Sequence, residues 1–164
     1  MRRAESPQGK WRQVAPFLTA SLVIAADQLS KAWVRSYPEG YSIYQLGFLE
    51  LRRIQNTGAA FGLFQGQGLA LSIIALAGIV VILFLVLSYH RRFPLLAALP
   101  TRIALGLILG GAVGNLIDRL SLGYVTDFID FHLWPAFNVA DSSTTIGAII
   151  IAYCLIRLAT APKA

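Results

Sequence analysis

Two aspartates, Asp127 and Asp141, stand 14 residues apart in a chain that is otherwise mostly apolar. A carboxylate at a membrane boundary is costly, so a functional role is the first interpretation to consider. When two carboxylates approach within a few Å, only one ionises readily, and the pair offers a base and an acid at the same pH. Such a pair can activate a water molecule and protonate a leaving amine. The two residues therefore predict hydrolytic chemistry.

Competing chemistries lack the residues that they need. A metal-dependent hydrolase would use a cluster of histidine and carboxylate ligands, but the two histidines are His90, in a basic turn, and His132. A cysteine nucleophile would need a histidine partner, and the single cysteine, Cys154, lies inside an apolar run. One cysteine also excludes an intramolecular disulfide and a thiol oxidoreductase that uses a Cys-x-x-Cys pair. We expect neither a metal nor a cofactor.

The composition is that of an integral membrane protein. Of the 164 residues, 56% are apolar and 13% are charged, and the mean hydropathy is +0.63. Residues 69–89 form an uncharged run of 21, enough for a helix to cross about 30 Å of hydrocarbon. Three shorter uncharged runs reach that length with their flanks, and we expect the first to be retained as a span rather than removed as a signal peptide. The sequence predicts an all-α membrane protein with four transmembrane helices, at about residues 13–34, 69–89, 99–120 and 140–158.

Two loops of this topology need structure of their own. Residues 35–68 carry β-branched, aromatic and charged residues in partial alternation, which predicts short strands that form a small β-cradle. Residues 121–139 place aromatic residues at intervals of three, as in an interfacial belt that lies on the bilayer surface. We see no internal repeat and predict a single domain, residues 1–164. The aromatic positions of the belt are Phe128, Phe131, Trp134 and Phe137.

Basic residues set the expected orientation. With four spans, nine of the 14 Lys and Arg residues fall on one side, which should be cytoplasmic and hold both termini. No span separates Asp127 from Asp141, and two spans separate both from residues 35–68, so these segments share the exported face. The net charge of +6 then reflects topology, and we expect no nucleic-acid partner. The nine residues are Arg2, Arg3, Lys10, Arg12, Arg91, Arg92, Arg102, Arg157 and Lys163.

Several polar residues near this face have an ordinary explanation beside a functional one. Asp141 precedes an apolar helix and could simply be its N-cap. Asp27 and Lys31 are four residues apart with the acid first, which favours a helical ion pair that supports the scaffold. Asn115 lies a turn inside an apolar helix, where its amide needs a hydrogen-bond partner, and we interpret it as support for the site.

Two further segments leave both interpretations open. Asp118 beside Arg119 at a helix end could be a paired stop signal at the interface. The segment Asn56-Thr57-Gly58-Ala59-Ala60-Phe61 could be an ordinary loop that enters the second span, but its small side chains would also let a substrate backbone approach closely.

Five blocks of sequence together resemble the bacterial lipoprotein signal peptidases, the signal peptidase II family. No single block is specific, but five in order over residues 27 to 142 are. The departures from the family pattern, such as Thr126 before the first aspartate, put no catalytic residue in doubt. The blocks are Asp27-Gln28-x-x-Lys31, Asn56-Thr57-Gly58-Ala59-Ala60-Phe61, Gly114-Asn115-x-x-Asp118-Arg119, Val125-Thr126-Asp127-Phe128 and Phe137-Asn138-Val139-Ala140-Asp141-Ser142.

This resemblance implies an aspartic endopeptidase of the bacterial inner membrane. Its substrates would be diacylglyceryl-modified prolipoproteins, cut just before the lipidated cysteine, and its surroundings membrane lipid; we expect a monomer. Asp127 and Asp141 would be the catalytic pair at the exported face. The resemblance implies substrate-binding or pair-orienting roles for Asn56, Gly58, Asn115, Arg119 and Asn138, and supporting roles for Asp27, Lys31 and Asp118.

Two alternatives come from other classes. A small transporter or proton-conducting subunit would use the aspartates as ion sites, but such proteins tend to place ionisable groups near the membrane midplane and often contain repeats. A purely structural membrane protein would not need so many polar residues at one exported face.

Overall fold

The computed structural model describes residues 7–58, 64–89 and 94–160. The helices are α1 (Pro7–Arg35), α2 (Gly68–Phe84), α3 (Pro94–Ala97), α4 (Leu99–Leu122) and α5 (Val139–Thr160), and the strands are β1 (Ser42–Leu46), β2 (Leu49–Asn56) and β3 (Val125–Asp130). A π-helical turn, Leu85–Tyr89, continues α2. Outside the described residues lie the basic turn at residues 90–93, residues 59–61 of the small-residue segment, and Arg2, Arg3 and Lys163.

Helix α4 is the central helix and packs against α1, α2 and α5. Ala20 of α1, Ile79 of α2 and Leu109 of α4 form the apolar core between these helices. Farther along α4, a side chain at Gly114 would collide with the carboxylate of Asp27, so glycine lets a charged residue of α1 lie directly against α4. The bundle is therefore apolar in the middle and polar toward one end.

Three helices are long and apolar enough to cross a membrane, by length and composition: Gly68–Ser88, Leu99–Leu122 and Val139–Thr160. They correspond to the second, third and fourth predicted spans. Helix α1 is not among them because Asp27, Gln28 and Lys31 interrupt its apolar run. The prediction of four membrane-spanning helices is thus confirmed for three.

The strands form one antiparallel sheet in the order β1-β2-β3. The first two strands lie in the loop between α1 and α2, as the alternation predicted. The third strand was not predicted: residues 121–139 were interpreted only as an interfacial segment. The side chains of Val125 to Phe128 are all buried, so this stretch lacks the alternation that marks a strand with one exposed face.

The predicted aromatic belt is only partly at the surface. Trp134 is 59% exposed, but Phe128 is 6% exposed because it lies within β3. Phe131 stacks on Phe137 with ring centroids 5.9 Å apart. Spacing by three therefore did not place these four residues on one face, because a strand and a turn replace the regular segment assumed.

Short connections on either side of β3 place it against the helices. Gly123 ends α4 in the left-handed conformation, with φ of 81°, and the chain enters β3 two residues later. After β3 the chain bends back, and Phe137 pairs with Ile129 before α5 begins at Val139. The end of α4, the strand β3 and the start of α5 are thereby held together.

Candidate active site

Asp127 lies on β3, opposite Ile54 of β2. Asn56 is two residues beyond Ile54 and so lies on the same face of the sheet. Its Nδ2 donates to Asp127 Oδ2 at 2.8 Å. The backbone N–H of Gly58 donates to Asn56 Oδ1 at 2.9 Å, which fixes the orientation of that amide. Sheet register and a local turn together aim the Asn56 donor at the aspartate.

Asp141 lies in the first turn of α5, and Asn138 is the residue that caps this helix. Asn138 Oδ1 accepts a hydrogen bond from the Asp141 backbone N–H at 2.9 Å, and Asp141 Oδ2 accepts one from the Asn138 N–H at 3.2 Å. This is the reciprocal arrangement of a capping box. The N-cap interpretation of Asp141 was therefore wrong, because the N-cap is Asn138, three residues earlier. Asp141 Oδ1 remains for other partners.

Two asparagine amides connect the aspartates. Asn138 Nδ2 donates to Asp127 Oδ1 at 2.7 Å, and Asn115 Nδ2 donates to Asp141 Oδ1 at 2.8 Å. Asn138 Nδ2 also lies 3.1 Å from Asn115 Oδ1, which closes the chain between the carboxylates. Within the described residues the two carboxylates make no direct hydrogen bond to each other.

Burial and charge favour a proton on this pair. Burial, followed by the nearby charge of Asp141, raises the pKa of Asp127 from 3.8 to about 7. Hydrogen bonds from Asn56 and Asn138 act in the opposite direction, as does the charge of Lys31. Because the raising effects dominate, Asp127 can hold or release a proton near neutral pH.

A cavity of about 730 Å³ opens onto the pair. Ala75 of α2, Ala112 of α4 and Ile146 of α5 line its apolar part, as do Trp134 and Pro135. An apolar cleft with a few polar groups at one end is the usual form of a binding site for an organic substrate. The polar end contains Asn56, Gly58, Asn115, Arg119, Asp127 and Asp141.

The sequence-predicted residues thus divide into two groups. Six line the cavity, and Arg119 there has Nη2 3.5 Å from the carbonyl oxygen of Gly58. The other four are fully buried behind it, with no exposed surface: Asn138, Asp27, Lys31 and Asp118.

The buried ion pair between Asp27 and Lys31 is present, at 2.8 Å. Asp118 does not pair with its neighbour Arg119, as a stop signal would. It lies 3.4 Å from Lys31 Nζ and 3.2 Å from Arg35 Nη1 instead. Its direction follows from the helix, since adjacent residues of α4 point about 100° apart.

A second ionic cluster lies at the other end of β3. The ligand atoms of Glu50, Asp130 and His132 lie within 4.8 Å of one another. The guanidinium of Arg52 already occupies this cluster, with Nη2 2.6 Å from Asp130 Oδ2. A fixed cation at that distance opposes a metal ion, so these residues fit an ion-pair network better than a metal centre.

Sequence reasoning missed several contributors. Arg35 reaches Asp118 and Thr126 Oγ1, each at 3.2 Å, and its position four residues after Lys31 on one helix face was an available signal. Gln28 Nε2 donates to Asp27, to the Gly114 carbonyl and to Asp118. The small residues that line the cavity gave no signal, because an alanine that faces a cavity and one that faces lipid look alike in sequence.

Comparisons with known proteins agree with this arrangement. Residues 19–157 match the family described as Signal peptidase (SPase) II. A lipoprotein signal peptidase of Dehalococcoides mccartyi is 44% identical over 134 residues, 81% of this chain and 83% of that one. One from Moorella thermoacetica is 43% identical over 144 residues, 86% and 93% of the two chains.

Structural similarity extends over the same region. A solved structure described as a bacterial membrane enzyme, obtained by the in meso method at 2.3 Å resolution, matches with a TM-score of 0.82 and 31% identity, over 90% of this chain and 91% of that one. The family match covers the residues that line the cavity and both aspartates. The chain is a membrane peptidase that belongs to the signal peptidase II family.

Proposed function

We propose that this chain is an aspartic endopeptidase that removes the signal peptide from diacylglyceryl-modified prolipoproteins, cutting just before the lipidated cysteine. One observation carries the aspartic mechanism: Asp127 and Asp141 face one cavity and are joined through the amides of Asn115 and Asn138. The names of the relatives support the substrate class.

In the proposed mechanism the pair carries one proton. Asp127, with a pKa of about 7, holds it in about half of the molecules at pH 7 and in more of them as the pH falls. Asp141 is the base, because the N-terminus of α5 stabilises an anion in its first turn. Asp141 takes a proton from water as the water oxygen bonds to the scissile carbonyl carbon. Asp127 donates its proton to the carbonyl oxygen, which becomes a hydroxyl of the tetrahedral intermediate. Asp141 then passes the proton from water to the scissile nitrogen, the C–N bond breaks, and one hydroxyl of the intermediate returns a proton to Asp127, which leaves a carboxylic acid and an amine.

The surrounding groups would orient the pair and the substrate. Asn56 and Asn138 hold the two oxygens of Asp127, and Asn115 holds Asp141. Arg119 lies beside the cavity and would bind a carbonyl oxygen of the substrate, as it now approaches that of Gly58. The apolar part of the cavity would receive side chains of the signal peptide.

We further propose that α1 is the fourth span, with both termini cytoplasmic and the aspartates at the exported face of the inner membrane, in a monomeric enzyme that needs no metal. The 29-residue length of α1 and its packing along α4 support this. A reporter inserted at Arg91 should be cytoplasmic. An exported reporter at that position would reverse the topology.

The function is tested with purified protein and a lipidated precursor. Mass spectrometry should find a product that begins with the diacylglyceryl cysteine, and a precursor without the lipid should be cut far more slowly. Asp141→Asn serves as the inactive control. Cleavage elsewhere, or equal cleavage without the lipid, would contradict the proposed function. The transporter alternative gains no support from a peptidase family match.

A further inference from the structure

Two buried carboxylates that do not reach the cavity hold the peptide groups just before the two aspartates. Asp118 Oδ2 accepts a hydrogen bond from the backbone N–H of Thr126 at 2.9 Å. Asp27 Oδ1 accepts one from the backbone N–H of Ala140 at 3.0 Å. Thr126 directly precedes Asp127, and Ala140 directly precedes Asp141. The same device therefore fixes β3 on one side of the site and the start of α5 on the other.

Lys31 joins these two anchors. Its Nζ lies 2.8 Å from Asp27 Oδ2 and 3.4 Å from Asp118 Oδ2, and the side chain is fully buried. Each carboxylate also accepts a backbone N–H, so Lys31 couples the two segments, together with Gln28, which donates to both carboxylates, and Arg35, which contacts Asp118. Lys31 is the charged group that contacts both anchors, so the spacing between the two aspartates depends in part on its ammonium group.

The third contact of Lys31 reaches the site directly. Lys31 Nζ donates to Asn115 Oδ1 at 2.8 Å. An ammonium group has donors only, so it requires that the oxygen of this amide point toward it. The nitrogen must then point the other way, where it donates to Asp141 at 2.8 Å. Lys31 thus determines which end of Asn115 the aspartate meets.

The charge of Lys31 also affects the protonation of the aspartate pair. Removing Lys31 would leave two buried carboxylates without this cation, and the aspartate pair would bind its proton more tightly. The charged groups that surround the pair are Asp27, Lys31 and Arg35 from α1, and Asp118 and Arg119 from α4.

We propose that Lys31 is a positioning residue for the hydrolysis: its ammonium group sets the orientation of the Asn115 amide and, together with Gln28 and Arg35, the spacing of the two aspartates. This inference rests on the proposed function. A purely structural Lys31 would affect folding without changing how the rate depends on pH, so the two roles are separable.

The test compares Lys31→Met with Arg102→Met on the lipidated precursor. Arg102 is a matched control, because it is 3% exposed, donates to the Arg12 carbonyl oxygen, and lies 13 residues from Asn115 on α4, a distance of about 20 Å. For Lys31→Met we expect kcat to fall about 100-fold with KM within about threefold. The acid limb of its pH–rate profile should move up by about one pH unit or more. Arg102→Met should keep both the profile and kcat within about threefold, even if its thermal stability falls equally.

A double variant, Asp27→Asn with Lys31→Met, carries the test if the single variant does not accumulate. It removes a cation and an anion together, and the new amide oxygen can still accept from Ala140. It should show the same loss of kcat. An unchanged kcat and profile in either Lys31 variant would overturn the positioning role, as would an equal shift in Arg102→Met. If Asp127→Asn and Asp141→Asn proved active, the proposed function itself would fail, which is a distinguishable outcome.

Discussion

Asp127 and Asp130 lie three residues apart on β3, and both are almost completely buried, yet their environments shift their pKa values in opposite directions. Burial raises the pKa of Asp127 to about 7, and its hydrogen-bond donors are neutral amides. Burial would also raise the pKa of Asp130, but the His132 N–H and the Arg52 guanidinium outweigh it and hold that pKa below its usual value.

The comparison shows that burial alone does not make a carboxylate reactive. A guanidinium in direct contact fixes Asp130 as an anion, whereas amides position Asp127 without neutralising it. Lys31, a cation close to the aspartate pair, acts through Asn115 rather than by direct contact. One end of the strand is therefore suited to proton transfer, and the other to holding the sheet together.

The strongest test of the comparison between Asp127 and Asp130 is to remove each carboxylate in turn. Asp127→Asn and Asp141→Asn should each lower kcat by about 1,000-fold or more, because neither amide can transfer the required proton. Asp130→Asn, in the same strand, should stay within about threefold of wild type. The measurement is cleavage of the lipidated precursor by protein that is inserted in the membrane to the same level. Comparable losses in all three variants would remove the distinction between the two ends.

Asn138 sharpens the comparison by separating positioning from folding. Asn138→Asp keeps an oxygen that accepts from the Asp141 N–H but cannot donate to Asp127, so kcat should fall about 100-fold while the N-cap remains. Asn138→Ala loses both functions, and it should in addition lose about 1 kcal/mol of unfolding free energy. Steady-state kinetics and thermal unfolding measure the two effects. Full activity in Asn138→Asp would show that the amide donor is dispensable.

The strands, helices and family of this chain were predictable to different degrees. Length and hydropathy predicted α2, α4 and α5, and alternation predicted β1 and β2. Strand β3 was missed because both of its faces are buried, which leaves a sequence without alternation. The charge of α1 was recognised, but only packing against α4 shows that Asp27 and Lys31 face inward.

The sequence singled out residues that the structure brings to one cavity, but it did not give their geometry. Asp127 and Asp141 stood out as costly charges and as parts of the ordered blocks, and the topology predicted that they share a face. The division between cavity-lining residues and buried ones depends on contacts far apart in the chain. Thr126, bonded to Asp118 and Arg35, illustrates this: a threonine in a strand carries no sequence signal of such partners.

The pH dependence of the unfolding free energy tests directly whether the pKa values of Asp127 and Asp130 are shifted in opposite directions. The native state holds a proton on Asp127 between about pH 4 and pH 7 that the unfolded chain releases, so this residue stabilises the fold at acid pH and loses that contribution as pH rises toward 7. Asp127→Asn should flatten this decline, which is of the order of a few kcal/mol. Thermal unfolding at several pH values measures it. A variant with the same slope as wild type would contradict the raised pKa.

Asp130 should give the reverse dependence. Because its native pKa is lowered, ionised Asp130 stabilises the fold at pH values above its pKa in the unfolded chain. This contribution to stability is lost as the pH falls through the native pKa. Asp130→Asn should therefore lower the unfolding free energy near pH 7 and show a smaller further loss as the pH falls into the acid range. Increased sensitivity to acid in this variant would show that the ion pair with Arg52 is not the cause.

The smallest expected effect is that of Arg52→Met. Arg52 is partly exposed, so its removal should cost about 1 kcal/mol or less of unfolding free energy. Activity should stay within about threefold of wild type, because the cluster at this end of β3 does not reach the cavity. A large loss of kcat with normal stability would link the two ends of the strand.

The most direct test of the central claim is an infrared titration of isotope-labelled aspartate carboxyl groups in the membrane-inserted protein. We expect one protonated carboxyl band that disappears with a midpoint near pH 7. That band should be absent in Asp127→Asn and unchanged in Asp130→Asn. A wild-type protein with no carboxyl that titrates above about pH 5.5, or a band that persists in Asp127→Asn, would contradict the account.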